Sequence, residues 1–288
     1  MSAKIIKEKS IKAGIIGGAG YTGGELLRLL VHHPYATVSY VHSRSQAGKN
    51  VELAHPDLIG ETDLLLSEDT GPLNDGSLDV LFLCVGHGEA KKFLQANEVA
   101  DRTKIIDLSQ DFRLTAHSTF EGRKFVYGLP ELNKKQIKEA NNIANPGCFA
   151  TAIQLGLLPL ASAGLLDEIY TTGITGSTGA GQGLSPTSHF SWRANNIQAY
   201  KTLSHQHIKE IHQSLNQLQK DFPEATSDDN KLSFVPWRGD FARGIFISST
   251  ITCIKKLPDL LLLYKEFYED QPFTFVSENE IYLKQVVN

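Results

Sequence analysis

At 288 residues, with 41% apolar and 21% charged side chains, the chain has the balance of a globular protein that buries a full core, and its length suits about two domains of ~100–200 residues each. A net charge of -4 excludes the broad basic field that would hold nucleic acid or an anionic membrane surface. An acidic substrate must therefore be met by local arginines and backbone N–H groups.

The start, Met-Ser-Ala-Lys-Ile-Ile-Lys-Glu-Lys-Ser, lacks the apolar stretch of a secretory signal, and no uncharged apolar run is long enough to span a bilayer. Cys84, Cys148 and Cys253 lie far apart with no CxxC pair, so neither structural zinc nor a disulfide framework is expected. These features predict a cytoplasmic protein.

The first predicted element is a strand, Ile11 to Ile16, running into the glycine turn Gly17-Gly18-Ala19-Gly20-Tyr21-Thr22-Gly23 and a helix closed by His32-His33-Pro34. A second strand runs from Thr37 to His42 and ends in Ser43-Arg44-Ser45. Further strands are predicted at Val80–Val85 and Lys104–Leu108, with a helix near Gly88–Val99 between them. Continuous apolar strands alternating with helices predict a parallel sheet.

The pattern changes after Asn145-Pro146-Gly147-Cys148. A helix near Phe149–Ala161 leads to strands near Ile169–Thr175, Lys231–Val235 and Gly244–Lys255, with helices near His205–Leu218 and Pro258–Tyr268. Few crossover helices separate these strands, so an α+β domain with a mixed or antiparallel sheet is expected. Residues 221–230 form a polar surface loop.

A glycine turn between strand and helix lets the backbone approach a pyrophosphate seated at the helix N-terminus. Gly17, Gly20 and Gly23, with Tyr21 and Thr22 at the helix start, are the expected contacts, although the GxxGxxG spacing differs from the usual GxGxxG. At the end of the second strand an NAD site wants a carboxylate for the ribose 2′-OH. Ser43, Arg44 and Ser45 instead offer a cation and two hydroxyls, which suit the 2′-phosphate of NADP.

Cys148 follows a proline and a glycine and opens an apolar helix. Helix-end N–H groups there favour thiolate and can hold an oxyanion on an acyl carbon. Thiolate attack on an acyl phosphate expels phosphate and leaves a thioester, which accepts hydride where a carboxylate would not. Cys84 and Cys253, inside apolar strands, are expected to be small buried hydrophobes. Ser204 is a candidate N-cap for a helix carrying His205 and His207. Two residues apart on a helix, these point to nearly opposite sides and make poor joint metal ligands, so no metal is expected. One of them serves as general acid–base beside Cys148. The loop Gly173 to Gly183 is rich enough in glycine to form an anion-binding concavity.

Together these strings resemble the N-acetyl-γ-glutamyl-phosphate reductase family of the aspartate-semialdehyde dehydrogenase-like superfamily. The matching segments are Gly17 to Leu26, Asp107-Leu108-Ser109-Gln110-Asp111-Phe112-Arg113-Leu114, Tyr127 to Leu132, Asn145 to Ala152, Gly176 to Gly181, Ser204 to Ile211 and Arg243-Gly244-Ile245. They occur in family order over essentially the whole chain. The resemblance implies an α/β protein with a Rossmann-type NADP-binding domain (1–147) and an α+β mixed-sheet catalytic and oligomerisation domain (148–288). It implies Cys148 as nucleophile with a histidine of the His205–His207 segment nearby, a small acyl-phosphate substrate, and a homodimer or homotetramer. Ser109, Arg113, Ser177 and Arg243 are the expected substrate contacts, Arg113 alternatively shaping its loop through Asp107 or Asp111.

The chain departs from the family pattern at Val85-Gly86-His87-Gly88, which lacks a proline, and at Val235 to Phe241, where a His and a Pro-Met pair are replaced. The second departure bears on acyl selectivity, acetyl or succinyl. Family chains also run on past the position of Asn288 with a further strand and an Asp-Asn-Leu-x-Lys-Gly-Ala-type segment. Two other functions compete: a β-aspartyl phosphate reductase, and a non-catalytic NADP-binding remnant.

Overall fold

The computed structural model describes residues 10–223, 225 and 230–287; residues 224 and 226–229 of the expected polar loop lie outside them. The chain divides into two compact units. The first comprises the residues up to Gly128 together with Gln136–Asn145, the second Leu129–Lys135 and the residues from Pro146 onward.

In the first unit the strands are β1 (Ile11–Ile16), β2 (Ala36–His42), β3 (Leu66–Ser67), β4 (Val80–Leu83), β5 (Lys104–Asp107), β6 (Thr119–Phe120), β7 (Arg123–Tyr127) and β8 (Asn142–Ala144). They form one sheet in the order β3-β2-β1-β4-β5-β8-β7-β6. All neighbours are parallel except β6 and β7, which are antiparallel. The order reverses between β1 and β4, the switch point at which open α/β sheets bind ligands beyond their strand ends.

Both faces of this sheet are covered. On one, Ala13, Ile15, Val38 and Val41 pack with Leu27 and Leu30 of the helix Tyr21–Val31. On the other, Leu81, Leu83 and Ile105 pack with Ala90 and Leu94 of the helix Glu89–Ala96, and Phe112 stacks on Phe125 at 4.0 Å. Each fully buried Leu, Ile or Phe contributes about 1.5–3 kcal/mol. Cys84 belongs to this core, and burial pushes its thiol up to about 12, which makes it inert near neutrality.

The second unit has a four-stranded sheet, β9 (Ile169–Thr175), β10 (Gln198–Ala199), β11 (Leu232–Arg238) and β12 (Ile245–Ile251), in the order β10-β11-β9-β12. β9 and β11 are parallel and the outer pairs antiparallel, the mixed sheet that was expected. The helix Cys148–Ser162 supplies Phe149, Ile153, Leu157 and Leu160 to the core. The helix His207–Leu218 adds Ile208, Ile211 and Leu215, and both pack with Ile169, Leu232 and Phe234 of the sheet. Cys253 falls beyond the end of β12 and is half-buried rather than a strand-interior core residue.

The seven residues 129–135 separate from the nucleotide domain expected at 1–147, because their side chains bond within the second unit. Asn133 accepts from Gln217 at 2.9 Å, Lys134 donates to the Asp270 carbonyl at 3.1 Å, and Glu131 accepts from Thr274 at 3.0 Å. Among the described residues no helix is long and apolar enough to cross a membrane.

Candidate active site

In the first unit the glycine turn leaves the C-terminal end of β1 beside the switch point. The Gly17 and Gly18 N–H groups both donate to the His42 carbonyl, at 3.1 and 3.0 Å, which ties the turn to the end of β2. Gly17 has φ +81°, and a Cβ there would stand 2.3 Å from the Cys84 carbonyl oxygen. A Cβ on Gly23 would meet the Gly17 oxygen at 2.6 Å, so both positions require glycine.

The following helix, Tyr21–Val31, has Gly20 as N-cap, no side-chain cap and no acidic residue in its first turn. Its leading N–H groups are therefore available to an anion. Ser43 is buried at the end of β2, while Arg44 and Ser45 are exposed, and no carboxylate stands among the three. The cradle and the donor set fit a dinucleotide that carries a 2′-phosphate. His55 gave no sequence signal: its buried ring lies against Gly24 and its Nε2 meets the Gly18 carbonyl at 2.7 Å, bracing the turn.

The Asp-Leu-Ser-Gln-Asp-Phe-Arg string forms a buried polar knot after β5. Asp107 accepts from the Ser109 N–H at 3.0 Å and its hydroxyl at 2.8 Å. Asp111 accepts from the Gly88 and Lys91 N–H groups at 2.6 and 3.1 Å, holding the start of the helix Glu89–Ala96. Arg113, also buried, donates through Nε to the Asn145 carbonyl at 2.8 Å and through Nη2 to that of Leu108 at 3.0 Å. These bonds to backbone carbonyls brace the loop, and the Arg113 charge also acts on the Asp107 carboxyl.

Burial lifts the Asp107 carboxyl to about 6, against ~3.9 in an unfolded chain. The folded state then holds the proton more tightly, so the stability it contributes is complete below about pH 4 and lost as pH rises through about 6. Asp107→Asn keeps an acceptor for the Ser109 N–H but cannot ionise. The melting temperature of the wild type should therefore fall relative to that of Asp107→Asn between pH 4 and 7, by the equivalent of about 3 kcal/mol. Parallel melting curves across that range would place the titration elsewhere.

In the second unit Cys148 is exposed at the first position of its helix, whose N-cap Gly147 provides no side-chain cap. No acidic residue occupies the first turn, so the dipole and the leading N–H groups act on the thiol. The Gly147 N–H donates to Glu210 Oε2 at 3.0 Å. Glu210 Oε1 lies 3.7 Å from His207 Nε2, and both side chains are buried. A Cβ on Gly147 would sit 2.4 Å from that imidazole nitrogen, so only glycine lets the His207–Glu210 pair close on the turn that carries the nucleophile.

The two histidines meet. Their ring centroids are 4.5 Å apart at 78°, against the expectation of opposite sides. The helix begins at His207 with Gln206 as N-cap, and Ser204 turns its N–H back to the Lys201 carbonyl instead of capping. Lys201 and Leu203 hold positive φ, so His205 lies in a turn before the helix. His205 Nδ1 accepts the His207 N–H at 3.2 Å, which leaves the proton of the neutral ring on Nε2. Its ring packs edge-on against Phe149, Tyr200 and Phe234. Burial, assisted by Lys201, lowers it to about 4, so it is neutral at physiological pH. Among the described residues no group of three or more His, Cys, Asp or Glu gathers to hold a metal.

The glycine loop turns its N–H groups inward. Those of Gly176, Ser177 and Thr178 donate to the carbonyls of Gly244, Phe241 and Ala242 at 3.0, 2.9 and 3.1 Å. The Ser177 hydroxyl also reaches the Phe241 carbonyl at 3.3 Å. The loop is therefore clasped to the segment carrying Arg243, which is half-buried. Sequence reasoning missed Arg193 and Arg238, which meet in this unit at the end of β11, where Arg193 donates to the carbonyl of Gly239, the residue after Arg238. The Arg238 guanidinium stacks 4.5 Å above the Tyr200 ring.

Two family models match in succession: the semialdehyde dehydrogenase NAD-binding domain over residues 12–140 and the semialdehyde dehydrogenase dimerisation domain over 148–288. Fold and site thus define the semialdehyde dehydrogenase class. The chain is 51% identical over 279 residues to the N-acetyl-gamma-glutamyl-phosphate reductase of Christiangramia forsetii, covering 96% of this chain and 83% of that relative. It is likewise 51% identical over 278 residues to that of Flavobacterium johnsoniae, covering 96% and 82%. The chain belongs to the N-acetyl-gamma-glutamyl-phosphate reductase family. Among solved structures, aspartate semialdehyde dehydrogenase with NADP from Candida albicans matches with a TM-score of 0.62 at 17% identity, covering 91% of this chain and 76% of that one. Aspartate semialdehyde dehydrogenase II from Vibrio cholerae matches with a TM-score of 0.64 at 13% identity, covering 92% and 80%. At these identities the likeness concerns the fold.

Proposed function

We propose that this chain reduces N-acetyl-γ-glutamyl phosphate to N-acetylglutamate 5-semialdehyde, with NADPH as reductant and release of phosphate, in arginine biosynthesis. The observation that carries this reading is an exposed Cys148 at an uncapped helix start, directly after Gly147, against which the buried His207–Glu210 pair packs. Cys148 Sγ attacks the acyl carbon while His207, oriented by Glu210, takes the thiol proton. Helix-start N–H groups and the His205 Nε2–H stabilise the oxyanion. Phosphate departs, and the acyl group remains on Cys148 as a thioester. NADPH, when bound, supplies the hydride that converts this thioester to the aldehyde. The thiolate then leaves and recovers its proton from His207.

Gly17, Gly20, Tyr21, Thr22 and Gly23 hold the pyrophosphate, and Ser43, Arg44 and Ser45 surround the 2′-phosphate. Ser109, Arg113, Ser177 and Arg243 are proposed on the substrate side, Arg113 chiefly as the brace that fixes its loop. The working form is a cytoplasmic homodimer or homotetramer, in keeping with the dimerisation domain.

Phosphate-dependent reduction of NADP by N-acetylglutamate semialdehyde, the reverse reaction, tests the reading. Absence of turnover by the wild-type chain overturns it. For the cofactor, Arg44→Ala should weaken NADP binding by about 1–3 kcal/mol, the worth of a charge-assisted hydrogen bond, and leave NAD binding unchanged. Equal losses for both cofactors, measured by titration calorimetry, place the 2′-phosphate elsewhere.

A further inference from the structure

The second unit holds two guanidinium groups for which the reaction steps above have no use. Arg193, 8% exposed, ends the short helix Phe190–Arg193, and its Nη2 donates to the Gly239 carbonyl at 2.5 Å. Its Nε is buried without a hydrogen-bond partner. Arg238 closes β11 one residue before that carbonyl; its Nη1 donates to the Thr187 hydroxyl at 3.3 Å. Among the described residues neither guanidinium meets a carboxylate. A buried cation without a counter-charge is costly in the free chain, and binding of an anion relieves that cost.

The position of the pair ties that anion to the Cys148 centre. Arg238 stacks on Tyr200, whose ring lies 5.8 Å from that of His205, which in turn touches His207 beside Gly147. Burial raises the Tyr200 hydroxyl, and the Cys148 charge adds to this while Arg238 and Arg193 oppose it. Thiol and guanidinium groups thus act on one ring. We propose that Arg193 and Arg238 form an oxyanion subsite of the Cys148 centre, binding the carboxylate or the phosphate of the acyl-phosphate substrate. This assignment rests on the reductase reading. A guanidinium fork suits both oxyanions, so the test must separate them.

Arg238→Met keeps the apolar stem over Tyr200 and removes the charge. In the reverse assay it should raise the KM for the semialdehyde or for inorganic phosphate about 10- to 100-fold, the loss of one charge-assisted hydrogen bond, with the KM for NADP unchanged. Arg238→Lys should recover part of the loss. A rise confined to the semialdehyde, together with loss of the wild-type preference for it over its α-carboxamide analogue, assigns the subsite to the carboxylate. A rise confined to phosphate assigns it to the phosphoryl group. Arg193→Lys, checked for an unchanged melting temperature, should shift the same constant. If both constants stay within about twofold of wild type in a folded Arg238→Met chain, the subsite is overturned. Wild-type turnover in that same assay then leaves the reductase reading standing.

Discussion

A Cys148→Ser chain is expected to retain less than roughly 1% of wild-type turnover, because a serine hydroxyl gives almost no anion near neutral pH. The substitution is nearly isosteric and Cys148 is exposed, so stability should stay within about 0.5 kcal/mol of wild type. The dinucleotide turn belongs to the other unit, so NADP affinity should not change. The decisive combination is therefore lost turnover with an unchanged melting temperature and unchanged NADP titration. A wild-type chain quenched during turnover should also carry an acyl adduct on Cys148 by mass spectrometry. Cys84, its thiol pushed up to about 12 by burial, should remain unmodified. Appreciable turnover by the serine variant would sink the thioester route.

His207→Asn should lower kcat by roughly 10²–10⁴, the usual worth of a positioned acid–base, and erase a limb of the pH–rate profile. The alternative candidate, His205, is held at about 4 by burial. It is neutral throughout the range in which such a limb falls, and its Nδ1 is already accepting the His207 N–H. His205→Asn should therefore lower kcat while preserving the limb, as loss of a hydrogen-bond donor does. Glu210→Gln should act in the direction of His207→Asn with a smaller effect, since Glu210 orients the imidazole and also accepts the Gly147 N–H. If His205→Asn, and not His207→Asn, removes the limb, the two roles are reversed.

The sequence by itself determined the elements whose signals are local. The glycine turn after β1 is legible because strand, turn and helix are contiguous, and Gly17 and Gly23 each answer a backbone approach within that unit. Cys148 is legible because Pro146 and Gly147 mark a helix start, and a helix start is a place of fixed electrostatics. The parallel and mixed sheets follow from strand spacing, with boundaries up to four residues adrift, as at β12, which ends at Ile251 and not at Lys255. Only the tertiary structure decided the rest. His205 and His207 touch because the helix starts two residues later than its apolar period suggests, after a turn with positive φ at Lys201 and Leu203. Glu210 reaches the Gly147 N–H across 63 residues of sequence. The register of β9 on β11 sets Thr175 beside Arg238, near the Gly239 carbonyl that holds Arg193. Residues 129–135 join the second unit through side-chain bonds to positions 217, 270 and 274. Periodicity reports which face of an element is apolar; which side chains from distant elements converge depends on sheet register and helix packing, and these exist only once the cores have formed.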